Sequence, residues 1–65
     1  MPVGAVASFA DDGWGVVLSD DGVEYPFHST AITDGTRRIE PGAAVSFELR
    51  PGRQGRWEAT AVRQR

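Results

Sequence analysis

Trp14, Val16, Pro26 and His28, with Phe9 and Phe27 close by in the chain, are the residues whose types and spacing could do chemistry. Alternate positions of a strand share a face, so Trp14 groups with Val16 and Pro26 groups with His28, while Tyr25 and Phe27 point the other way. With Tyr25 and Phe27 in the core, the first four lie outside. An exposed indole beside an imidazole is a platform for unpaired bases, each stack contributing roughly 1–3 kcal/mol. Phe9, Val16 and Phe27 would shape or support that platform.

Arginines make a second set: Arg37 and Arg38 in a polar loop, and Arg50, Arg53 and Arg56 around the last turn. A guanidinium is a planar fork that clamps phosphate or lies on a base. Arg37, Arg38 and Arg56 are the expected phosphate contacts. Trp57 is expected to point inward and lid the core, because an exposed indole without a ligand lowers solubility.

No arrangement predicts catalysis. His28 and Ser29 are neighbours in an extended segment, so their side chains diverge and cannot act as a base and its nucleophile. Asp11-Asp12-Gly13 and Asp20-Asp21-Gly22 are far too short for calcium loops and read as turns. One histidine and no cysteine predict neither a metal cage nor disulfides. No cofactor and no small-molecule substrate are expected.

The elements that must position these residues are short strands. Val3 to Phe9 favours an extended chain, and Ala10 to Gly13 closes it with turn chemistry. Trp14 to Leu18 alternates, with Gly15 leaving room for a close approach. Asp21-Gly22 predicts a hairpin that brings Val23 to His28 back antiparallel, and Pro26 belongs at an edge or a bulge. Ser29 to Ile32 reads as a short helical turn capped by Ser29 or Thr30. Thr33 to Gly42 is a loop. Ala43 to Leu49 and Trp57 to Val62 are two further strands, the last alternating Trp57, Ala59 and Ala61 against Glu58, Thr60 and Val62. Five short strands with one long connection after the third suit a small closed or partly open Greek-key barrel in a single domain, residues 1–65.

Charge is divided along the chain. Six carboxylates and no Lys or Arg precede residue 37, whereas seven arginines against three glutamates follow it, for a net charge of −2. Overall acidity opposes strong non-specific adhesion to nucleic acid, while a local arginine surface still permits binding. The division could equally dock an arginine face on an acidic protein partner or pair two copies as a homodimer. The first residues lack the basic start and long apolar run of a signal peptide, and no stretch is long enough to span a bilayer. A cytoplasmic location away from membranes is expected.

In order and spacing, these pieces resemble the cold-shock domain. The resemblance runs nearly end to end: Gly4-x-Val6 and Phe9, Gly13-Trp14-Gly15-Val16-Val17, Phe27-His28, Ser29-x-Ala31-Ile32, Asp34-Gly35, Gly42-x-x-Val45-x-Phe47, and Gly55 to Val62. It implies an all-β, five-stranded antiparallel Greek-key barrel of the OB-fold type that binds single-stranded RNA and DNA. Trp14 stands for an aromatic of the family's first motif, and His28 for its histidine. The family's lysine and tryptophan of strand one are Ala7 and Ser8, and the first motif's leading lysine and second aromatic are Asp12 and Val16. Pro26, Ser29 and Thr36 occupy three further aromatic positions. Losing several stacks reduces nanomolar binding to micromolar or weaker. The expected function is weak single-stranded RNA or DNA binding with little sequence preference, of the RNA chaperone or cold-shock regulator type. The alternative is an OB-fold protein-interaction module.

Overall fold

The computed structural model describes residues 2–33, 39–52 and 55–65 of the chain. Strands β1 (Val3–Phe9), β2 (Trp14–Ser19) and β3 (Glu24–His28) lead into a 3₁₀ turn (Ser29–Ala31), and β4 (Ala44–Pro51) and β5 (Trp57–Gln64) follow. They form one five-stranded antiparallel sheet in the order β3-β2-β1-β4-β5. The first three strands are a meander because their connections are short turns. Ser19 and Val23 close the second of these, with Ser19 N–H donating to the Val23 carbonyl at 2.8 Å and Asp21 Oδ1 accepting from Val23 N–H at 3.2 Å.

Alternation sorts the side chains. Val17 on β2, Phe27 on β3, and Val45 and Phe47 on β4 are buried, and they meet Val6, Ile32, Ile39, Ala59 and Val62 in one core. Phe9 and Tyr25 pack against it, half-buried, with the Tyr25 ring 6.0 Å from that of Phe47. Burying a side chain of this size contributes about 1.5–3 kcal/mol, so these few residues supply most of the fold's driving force.

Among the described residues no ladder between the end strands closes the sheet. β3 and β5 nevertheless lie in contact, and the chain leaving the 3₁₀ turn joins them: Ile32 forms a parallel bridge to Val62, and Thr33 N–H donates to the Val62 carbonyl at 2.9 Å. The end of β3 is thereby held beside β5. That contact positions the site. No helix among the described residues is long and apolar enough to cross a membrane.

Two bulges interrupt the period of two. On β1, Val6 pairs with Val17 and Ser8 with Val16, so Ala7 is extra, and Ala7 and Ser8 are both exposed. On β5, Thr60 pairs with Glu48 and Arg63 with Ser46, and Ala61 takes a φ of 50°.

The second bulge corrects the simple alternation expected for β5. Ala59 and Val62 both enter the core, because the extra residue turns the strand by one position. Trp57 is not an inward lid either: it is 53% exposed. It pairs with Pro51 at the end of the β4–β5 hairpin, beyond the reach of the core, and nearby Leu49 is exposed as well. The 3₁₀ turn is capped by His28 rather than by Ser29 or Thr30.

Candidate nucleic-acid interface

The turn before β2 aims Trp14. Gly13 N–H donates to the Ala10 carbonyl at 3.0 Å, Ala10 N–H to the Trp14 carbonyl at 2.8 Å, and Trp14 N–H to Asp12 Oδ1 at 3.0 Å. Asp12, where the resembled family has a lysine, therefore holds the turn that starts the strand. Trp14 emerges on the outer side of the sheet, 49% exposed.

Register sets His28 opposite it. Trp14 and His28 are cross-strand partners, and their rings meet edge to face with centroids 4.8 Å apart and an interplanar angle of 72°. An edge-to-face pair leaves indole surface available while limiting its rotation. The imidazole is fixed from the other side, where Nδ1 accepts from Thr30 N–H at 3.3 Å and lies 3.2 Å from Thr30 Oγ1. With Nδ1 an acceptor, the neutral ring carries its proton on Nε2.

Val16 and Pro26 are the next cross-strand pair, both half-buried, and continue this surface along β2 and β3. Phe9 and Phe27 stack with centroids 5.9 Å apart at 23°. Phe27 is 1% exposed, so it supports the surface from within, while half-buried Phe9 lies between core and rim.

A cleft of about 690 Å³ opens beside the pair. Trp14, His28 and Thr30 line it from β2, β3 and the turn; Arg50, Pro51 and Glu58 line it from the β4–β5 hairpin. Arg50 and Glu58 face each other across β4 and β5, Nη2 to Oε1 at 3.5 Å, with the arginine side chain 63% exposed. Arg56 is exposed but is not among the lining residues. Arg37 and Arg38 lie outside the described residues.

The structure thus brings together Trp14 and His28 as expected and adds Arg50, Glu58 and Thr30. Arg50 was visible only as one of several arginines near the last turn. Nothing local in the sequence marks Arg50 and Glu58 as facing His28, because that neighbourhood depends on β5 lying against β3. Among the described residues no three His, Asp or Glu side chains gather where a metal ion could be held. Chemically, the described residues offer the cleft an indole face, an imidazole, one guanidinium and one carboxylate. No protein-family model matches the chain, and no curated protein sequence matches it significantly.

Proposed function

We propose that this chain is a cold-shock-like barrel of the OB type that binds single-stranded RNA or DNA weakly, without catalysis or cofactor, as a cytoplasmic RNA chaperone or cold-shock regulator. The observation that carries this reading is the Trp14–His28 pair at the rim of a cleft that also holds Arg50. The strand order and the core-facing alternation suit such a barrel. Stacking on one indole contributes roughly 1–3 kcal/mol per base, and a few arginine contacts to phosphate add to it, which together fit micromolar binding or weaker.

Fluorescence tests this directly. In a Trp57→Phe background, where Trp14 alone reports, oligo-dT or oligo-U quenches emission at low salt, and the quenching weakens as salt rises. Trp14→Ala in the wild-type background removes the response. Absence of quenching at tens of micromolar protein rejects the reading.

A second reading, a protein-interaction module on the same scaffold, draws on the exposed Trp57 and Leu49 at the end of the β4–β5 hairpin. Sedimentation at low and high salt addresses its self-associating form. A monomer at both counts against it.

A further inference from the structure

Glu58 is unexpected in a surface that meets phosphates. Its side chain is 20% exposed and shares the cleft with Trp14 and His28. Gly52 makes room for it: a β-carbon at that position would come within 2.6 Å of Glu58 Cδ and 2.7 Å of Oε2. Among the described residues its one side-chain partner is Arg50, at 3.5 Å, the far limit of a hydrogen bond. A carboxylate has about four acceptor sites, so toward the described residues most of this group's accepting capacity is unspent.

Four kinds of base could meet it. On its Watson–Crick edge guanine presents O6, N1–H and N2–H in a row, an acceptor beside two adjacent donors. Adenine and cytosine each present a single donor group, and uracil or thymine presents one donor between two acceptors. Two adjacent donors fit the two oxygens of a carboxylate, and the neighbouring O6 then lies where a guanidinium donates. Unpaired bases are read on that edge when splayed onto an aromatic ring.

Resting on the nucleic-acid reading above, we propose that the Arg50–Glu58 pair selects guanine in this cleft, with the base stacked on Trp14. Glu58 accepts from N1–H and N2–H, and Arg50 donates to O6. The carboxylate that weakens phosphate binding supplies selectivity for one base.

The test uses the full chain carrying Trp57→Phe and four heptamers: dT7, and dT7 with a central guanine, inosine or adenine. The guanine heptamer is expected to bind about tenfold tighter than dT7, a bidentate base contact being of that size. Inosine, which lacks the N2 amino group, falls between the two, and adenine gains nothing over thymine. Glu58→Gln, whose amide cannot accept on both arms, brings the guanine-to-thymine affinity ratio to about one. Quenching by guanosine monophosphate at similar concentrations assigns the selectivity to a free nucleotide as well as to a strand. Equal affinity for dT7 and the guanine heptamer overturns this inference while leaving the stacking platform in place. Failure of every heptamer to bind overturns both.

Discussion

Gly13 lies against the imidazole of His28: a β-carbon at Gly13 would come within 3.2 Å of His28 Nε2 and 3.1 Å of Ser29 Oγ. The same residue has a φ of 91°, and its carbonyl accepts from Ser29 N–H at 2.7 Å. The turn that launches Trp14 and the strand end that carries His28 are therefore one unit. A side chain at residue 13 would strain the backbone and displace the ring that braces the indole.

Gly13→Ala is expected to lower stability by about 1–2 kcal/mol, the usual penalty for a β-carbon in that region of φ. It should also reduce the affinity for oligo-dT in the folded protein, because the Trp14–His28 geometry is disturbed. Urea denaturation measures the first effect and tryptophan quenching the second. Wild-type values for both would remove the link between this turn and the platform.

Gly15 is set by packing rather than by backbone angle. A β-carbon there would meet the Ser8 carbonyl at 2.7 Å and the Phe27 ring at 2.8 Å. Gly15→Ala should destabilise by about 1–3 kcal/mol, as overpacking does. Shortening the ring with Phe27→Leu is itself destabilising, yet the double variant should lose less than the two single losses added together, because the clash and the void share one space. Strict additivity in denaturant would show that the glycine is not needed for Phe27.

At the β5 bulge, Ala61 has a φ of 50°. Ala61→Gly removes the steric penalty but loosens the unfolded chain, leaving a gain of about 0.5 kcal/mol. Ala61→Val, β-branched in the same conformation, should lose about 1–3 kcal/mol. Thermal or urea unfolding decides this. A stabilising valine would mean that β5 runs without the bulge.

Among the described residues Arg50 is the one basic side chain that lines the cleft, and Asp12 lies in the turn before β2. The logarithm of the oligo-dT affinity should therefore fall with the logarithm of salt concentration at a slope no steeper than about −2, each phosphate contact on a single strand adding about −0.7. A titration series in sodium chloride gives the slope. A markedly steeper value would require more than the roughly three phosphate contacts that this slope allows.

Much of the scaffold was determined by the sequence itself. Tyr25 and Phe27 on β3 and Val45 and Phe47 on β4 recur every second residue, and turn-forming Asp-Gly pairs separate the first three strands, so strand existence, the meander and much of the core follow from local rules. The same rules set Trp14 with Val16 and Pro26 with His28 on shared faces, and the structure makes Trp14 and His28 cross-strand partners on the outer one.

Only the tertiary structure decided the rest. Whether Trp57 is lid or rim depends on how far the β4–β5 hairpin extends past a core to which every strand contributes. Whether Ala59 and Val62 share a face depends on a bulge that answers to β4 rather than to any pattern within β5. That Glu58 shares a cleft with Trp14 depends on Ile32 bridging to Val62 and holding β3 beside β5. Period and turn chemistry act over a few residues and are written in the chain. Strand ends, bulges and the meeting of remote strands are settled by contacts between residues far apart in sequence.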